Sequence, residues 1–211
     1  MAKKHSNTAR QLFNKWARND HARGMERGHW NSVQQAFSHI PESSGNYLEI
    51  GFGNGYGIEF MAQNQYKNGS CYGIDISEEM QAVTKERCAG LSNVTVEAAD
   101  FSTWQPPGDV RFSCIFSMEV FYYFDDIQKG IEKAFALLNP GSMLMVLVDF
   151  YAEHKESHTW PDDVDVPMTL WSEQEYRQGF LTAGFERVMQ KRLNPEKGAG
   201  TLMTAGYRPL T

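Results

Sequence analysis

Apolar and polar residues alternate along this chain in two rhythms, and the switches between them lay out its elements. From about residue 46 onward, short apolar runs are followed by stretches with helical spacing. "NYLEIG" reads as a buried strand, and "YGIEFMAQNQYKNG" as a helix stopped by Asn68-Gly69. "SCYGID" is a second strand. Ser77 then caps a helix whose first turn carries Glu78 and Glu79, and Gly90 ends it. "NVTVEAAD" alternates with period two as a third strand, and "RFSCIFSM" is a continuous apolar run, typical of a strand covered on both faces. Beyond Asp125 and Asp126, Ile127, Ile131 and Leu138 share one helical face, which Asn139-Pro140-Gly141 terminates. "SMLMVLVDF" is the fifth strand. Ser172 and Glu175 spell a capping box for a helix closing at Gly184, and "FERVMQKRL" and "GTLMTAGYRP" form a last strand pair around "NPEKGAG".

Strand and helix alternate through most of this order, so right-handed crossovers predict a mainly parallel sheet with helices on both faces. The 211 residues, 41% hydrophobic and 22% charged, suffice for one domain with a real core. No apolar run approaches a membrane span, and "MAKKHSNTAR" lacks an apolar leader. Cys71, Cys88 and Cys114 are odd in number and widely spaced, without metal-ligand spacing, so a reduced, cytoplasmic protein is expected. The net charge of −6 argues against nucleic acid. The charge is uneven, however: Lys3, Lys4, Arg10, Lys15, Arg18, Arg23 and Arg27 face only Asp20 and Glu26 in the first 29 residues. This arm is either a solvated helix face or a contact for RNA or a membrane surface.

The chemistry concentrates in "YLEIGFGNGYG", residues 47–57, with glycines at 51, 53, 55 and 57 directly after the first strand. Glycine admits positive φ and lets a ligand approach the backbone, at a cost in chain entropy. The dinucleotide pattern G-x-G-x-x-G fails in all three registers, where Tyr56, Ile58 or Phe60 stands in place of the last glycine. A P-loop fails too, since no lysine follows before Lys67. What remains is E-x-G-x-G-x-G, beginning at Glu49.

With that motif, with Asp75 ending the second strand in "YGIDIS" and with Asp100 after the third in "EAADFS", the chain resembles the class I S-adenosylmethionine-dependent methyltransferases. "FSMEVFYYFDD", "LLNPGSMLMV" and "LTAGF" extend the resemblance over about residues 45–207. It implies a doubly wound α/β fold, Rossmann-like, with seven strands of which the last is antiparallel. It implies S-adenosylmethionine as cofactor, with Gly51, Gly53 and Gly55 as the binding loop and Glu49 near the methionine end. Asp75 would accept from the two ribose hydroxyls, Asp100 from the adenine amino group, and the backbone N–H of Phe101 would meet a ring nitrogen. Ile76 and Ser117 complete the implied cofactor set. One departure is Ser113, where the family often carries an acid just inside the fourth strand.

The expected activity is in-line methyl transfer, in which alignment supplies much of the rate. The expected acceptor is a small molecule. A nucleic-acid or protein acceptor, or a non-catalytic cofactor-binding module supporting a partner, are the alternatives. Acceptor contacts should come from three segments above the strand ends. The N-terminal helical arm, residues 1–44, carries Leu12, Phe13 and Trp16 on one face and either lids the cofactor or packs on the sheet edge. The fourth-strand exit carries Tyr122 and Tyr123, and an irregular insertion spans 151–171. Tyr122, Tyr123, Phe150, Trp160 and His29 are expected to enclose the acceptor pocket. Tyr122 is read as catalytic by orientation, and His29, or a histidine of the insertion, as the base if one is needed. His154 and His158 are four apart, but Lys155 stands where a zinc-protease motif has Glu, so no metal is expected.

Overall fold

The strand and helix rhythm becomes a single twisted sheet flanked on both faces. A computed structural model describes residues 2–19, 21–196 and 198–211, with side chains from residue 7 onward. Lys3 and Lys4 side chains and Asp20 of the basic arm lie outside the described residues. Two helices, α1 (Ala2–Ala17) and α2 (His21–Phe37), precede the strand and helix series. The series runs β1 (Asn46–Ile50), α3 (Tyr56–Gln63), β2 (Ser70–Asp75), α4 (Glu78–Arg87), β3 (Val94–Ala98), β4 (Phe112–Met118), α5 (Ile127–Leu137) and β5 (Leu138–Val148). A short α6 (Trp160–Val164), then α7 (Glu173–Thr182), β6 (Glu186–Leu193) and β7 (Thr201–Tyr207), complete it.

The sheet order is β3-β2-β1-β4-β5-β7-β6. β7 runs antiparallel to both its neighbours, and the pairings from β3 to β5 are parallel. The order reverses between β1 and β4, and the carboxyl ends of parallel strands at such a reversal form the usual ligand crevice. This is the seven-stranded, doubly wound architecture that the resemblance implies.

Period-two alternation divides the core into two layers. Leu48, Ile50, Ile115, Leu144 and Val146 face α5 and α7, with Ile131, Tyr176 and Phe180. Tyr47, Cys71, Cys114, Phe116, Met145 and Leu147 face α2 and α3, with Val33, Phe37, Ile58 and Met61. All three cysteines are free and buried in this second layer. Among the described residues no helix is long and apolar enough to cross a membrane.

Three boundaries differ from those the sequence predicts. The helix after the glycine loop stops at Gln63, five residues before Asn68-Gly69. Asn64 leaves helical geometry there and its side-chain amide donates to the Phe60 carbonyl, while Tyr66 turns into the core against Tyr47. Leu138 is extended and opens β5, opposite Phe112, instead of closing the helical face. The Arg208 guanidinium donates to the carbonyls of Phe135, Ala136 and Leu138, satisfying that helix end. The amphipathic stretch near the N-terminus breaks into α1 and α2, where Asn19 Oδ1 accepts the His21 N–H at 2.9 Å.

Helix α2 is clamped to the body. Phe37 packs on Phe116 at 4.8 Å and Phe60 at 5.7 Å between ring centroids. Asn194 accepts from Asn31 and Gln35 and donates to Ser32 Oγ. Removing the Phe37 ring leaves a cavity beneath this helix. Phe37→Ala is expected to lower unfolding free energy by about 3–5 kcal/mol, read from the midpoint of urea denaturation.

Candidate active site

The glycine loop leaves the buried end of β1 and must turn sharply into α3. Gly51 has φ +76, and a Cβ there would meet Val120 Cγ2 at 2.1 Å, so no other residue fits. Gly53 has φ +54 and open space where a side chain would stand, which lets a ligand reach the main chain. The loop is tied to the neighbouring strand through Asp75. Asp75 Oδ2 accepts the Gly53 N–H at 2.9 Å, and Oδ1 accepts the Ser77 N–H at 2.9 Å. Burial pushes this carboxyl up to about 6, and the backbone N–H bonds oppose that shift. Each oxygen keeps further acceptor capacity for a diol.

Glu49 sits on the opposite side of the loop. Strand alternation turns it toward α3, where a Cβ on Gly57 would strike its Oε1 at 2.6 Å. Tyr47 Oη donates to Glu49 Oε2 at 3.0 Å, but burial dominates and raises the carboxyl to about 8. A nearby cation would favour the ionised form.

These groups line one cavity, about 980 Å³ when its open mouth is counted. Glu49, Gly51, Gly53, Asp75, Ile76, Asp100, Phe101 and His29 all reach it. Asp100 Oδ1 accepts from the N–H and the hydroxyl of Ser102, which fixes the loop after β3. Phe101 stacks on Phe124 at 5.9 Å. The roof comes from the N-terminal helices: Ala9 and Phe13 of α1, and Ala22, Met25 and His29 of α2. α1 is held there by Asn14, whose Oδ1 accepts from Ser77 Oγ at 2.6 Å, and by Arg18 with Glu79 at 2.6 Å. The arm therefore lies over the strand ends, and α2 also packs against the edge strand β6.

Several expected residues stand outside the cavity wall. Gly55 caps α3. Ser117 is fully buried and its hydroxyl donates to the Ile50 carbonyl, so it joins β4 to β1. Tyr122 is only 2% exposed, packs on Phe150 at 5.3 Å and donates to Glu119 Oε2 at 2.8 Å. The expected enclosure by Tyr122, Phe150 and Trp160 is thus corrected: their rings pack together behind the wall, and Tyr123 and His29 alone of the five reach the cavity. The insertion braces this packing, since the Thr169 N–H donates to the Tyr122 carbonyl at 2.7 Å. His154 Nδ1 donates to the Asp149 carbonyl at 2.7 Å, and His158 lies against Phe150.

Two acids emerge that the sequence reading passed over. Glu119, directly after β4, has φ +60, a strained value for a residue with a side chain. Its Oε1 accepts the Asp149 N–H, and its carboxyl is pushed well above the ordinary range by burial and by the negative charge of Asp149. His29 Nε2 stands 3.9 Å from Asp149 Oδ2. Burial lowers the imidazole below its ordinary value, against the pull of that carboxylate. The ligating atoms of His29, Glu119 and Asp149 all lie within 4.8 Å of one another. The overlooked signal is an acid immediately following an apolar strand run, in "FSMEV" and "VLVDF".

The buried diol acceptor, the open glycine and the acid facing α3 suit an adenosine-linked cation, and two measurements test this. Asp75→Ala is expected to weaken S-adenosylhomocysteine binding by about 1.5–3 kcal/mol for each hydrogen bond lost, by calorimetry. A ligand ammonium or sulfonium near Glu49 prefers its ionised form, so binding releases a proton from a group titrating near 8. Affinity for S-adenosylmethionine should rise between pH 6 and 8, by at most about tenfold per unit, and Glu49→Gln should flatten that rise.

Comparison with known proteins gives the same assignment. A methyltransferase domain family model matches residues 20–190. One similar structure is a chain from the complex between the Haloferax volcanii Trm112 methyltransferase activator and a methyltransferase. It has 26% identity and a TM-score of 0.85, covering 93% of this chain and 97% of that one. NodS, an N-methyltransferase from Bradyrhizobium japonicum crystallised with S-adenosylhomocysteine, has 21% identity and a TM-score of 0.73, with 96% and 99% covered. The Haemonchus contortus phosphoethanolamine N-methyltransferase 2, crystallised with S-adenosylmethionine, has 15% identity and a TM-score of 0.69, covering 93% of this chain and 60% of that one. No curated protein sequence matches. With the family model spanning most of the chain over this fold, the protein belongs to the methyltransferase domain family and is an S-adenosylmethionine-dependent methyltransferase.

Proposed function

We propose that the acceptor is a small molecule that enters the roofed cavity beside the cofactor. The observation that carries this reading is the lining itself: helices α1 and α2 close over the strand ends, and the described wall holds neither lysine nor arginine. A phosphate backbone needs clustered cations at the mouth, so this wall counts against nucleic acid. Asp75, Gly51, Gly53, Ile76, Asp100 and Phe101 would hold the nucleoside, and Glu49 the methionine end. When bound, the cofactor supplies an electrophilic methyl on a positive sulfonium. The protein's part is to orient the acceptor, exclude water through Phe13 and the α2 roof, and take up a proton.

His29 is the group placed to take that proton. It lines the cavity, and burial lowers its pKa, which favours the neutral imidazole a base must be. Glu119 and Asp149 lie where an imidazolium would be stabilised once formed. Tyr122 orients Glu119 from behind the wall and has no contact with the cavity.

The 26% identity to a chain crystallised with a methyltransferase activator supports a second reading, in which this chain works in complex with a Trm112-type protein partner. Co-expression with a Trm112-type protein, followed by gel filtration, distinguishes a stable complex from a free enzyme.

The test of the main reading is a screen with labelled S-adenosylmethionine against small-molecule, RNA and protein pools. Label is expected in the small-molecule fraction, and its exclusive appearance in RNA or protein overturns the reading. His29→Ala should lower turnover by about 10²–10⁴-fold with S-adenosylhomocysteine affinity retained. A base must be unprotonated to act, so turnover in the parent should hold level above the ordinary imidazole pKa of about 6.5 and fall only at a pH below it, because burial lowers the His29 pKa.

A further inference from the structure

Within the small-molecule reading, on which this inference rests, we propose that the acceptor is a cationic amine, bound as its ammonium between Glu119, Asp149 and His29 and methylated on nitrogen. Three independent features converge on this class of acceptor. First, the cavity wall has four acidic residues, Glu49, Asp75, Asp100 and Glu119, and no lysine or arginine among the described lining. Glu49, Asp75 and Asp100 sit around the glycine loop and serve the cofactor in the reading above. Glu119 is left over, at the far side of the loop, next to the α2 roof. An anionic acceptor would find no counter-charge there, and a neutral one would gain nothing from the acid's negative charge.

Second, Glu119 is held in one orientation at some expense to the backbone. Its φ of +60 places the side chain where its two oxygens meet the Asp149 N–H and the Tyr122 hydroxyl. Residues kept in sparsely populated conformations concentrate at functional sites. Two carboxylates, Glu119 and Asp149, are thereby brought close together, and burial and their mutual repulsion raise the Glu119 pKa well above its ordinary value. An ammonium entering between them removes that repulsion. Third, the space beside them is walled by rings: Tyr123 lies edge-on to Phe13 at 5.4 Å, both in the lining, and aromatic faces attract cations.

His29 completes the chemistry. An ammonium has no lone pair, so it must lose a proton before it can attack. That proton passes to His29 Nε2, the ring nitrogen facing Asp149 Oδ2 at 3.9 Å. The freed nitrogen pair forms the new N–C bond to the methyl carbon as the C–S bond breaks, and its electron pair returns to sulfur, which loses its positive charge. Charge balances: the proton lost by the acceptor ammonium is on His29, and the positive charge lost by sulfur passes to the nitrogen, so the product is the N-methylammonium.

The experiment uses the full chain saturated with S-adenosylhomocysteine and matched probes of one shape and different charge. 2-Phenylethylamine, 2-phenylethanol and phenylacetate, and the aliphatic set butylamine, butanol and butyrate, are titrated by calorimetry and tested as methyl acceptors with S-adenosylmethionine. The amine of at least one set should bind at least tenfold more tightly than its alcohol and carboxylate. Glu119→Gln, which keeps size and hydrogen bonding, should erase that preference, and Asp149→Asn should reduce it, with S-adenosylhomocysteine affinity within twofold of the parent as the check on folding. Equal binding of amine and alcohol, preference for a carboxylate, or an amine preference that survives both substitutions overturns the proposal. Binding of Mn²⁺ or Mg²⁺ that is lost in Glu119→Gln, with no amine preference, also overturns it and makes the three residues a metal site. Failure of every small molecule in both assays, with label entering RNA or protein, instead overturns the small-molecule reading beneath it.

Discussion

The Asp75 carboxylate is the interaction on which the site depends. One oxygen holds the Gly53 N–H and the other the Ser77 N–H, so a single side chain ties the glycine loop to the start of α4. A loop of alternate glycines is costly in chain entropy and would not hold one shape without such a tie. The same carboxylate lies at the cavity wall, where burial raises it to about 6, so the group that shapes the loop is also poised to accept from a ligand.

Around that tie, the parallel sheet concentrates acids. Strands β1, β2 and β4 all end on one side of the sheet, and Asp75 and Glu119 lie at or just past their ends there. Burial among apolar layers then removes the water that would have separated these charges. Glu49 and Glu119 both respond with raised pKa values, and Tyr47 and Tyr122 each donate a hydroxyl hydrogen to one of them. The cavity is thus a desolvated acidic site suited to positive ligands, and the sulfonium cofactor of this family is one.

The N-terminal helices turn that crevice into a chamber. α2 is fixed by Phe37 in the core and by the Asn194 cluster, and α1 by Asn14 and Arg18 on α4. Glu26 of α2 also pairs with Arg87 of α4, at 2.9 Å, and with Asn54 of the loop, at 2.7 Å. Roof and floor therefore share contacts, and the basic residues of the arm are in part spent on these pairings with acids of α4.

Much of this was legible in the chain itself. Alternating and continuous apolar runs and helical spacing predicted the seven strands and α3, α4, α5 and α7, because burial against a sheet imposes those patterns directly, whereas the short α6 lies in the insertion read as irregular. The motif of Glu49, the glycines, Asp75 and Asp100 carried the resemblance that implies a cofactor loop, and Glu49, Gly51, Gly53, Asp75 and Asp100 lie around one cavity because they sit at or near the carboxyl ends of parallel strands. Helix ends were less legible: Leu138 and Asn64 depend on Arg208 and on the burial of Tyr66, contacts with distant residues. Tyr122 looked like a wall residue because aromatics cluster there, but packing on Phe150 turned it away from the cavity. Glu119, Asp149 and His29 come from three separate elements and have no common spacing. Only the closing of α2 over the ends of β4 and β5 brings them within 4.8 Å, and that proximity, not any one residue, creates their chemistry.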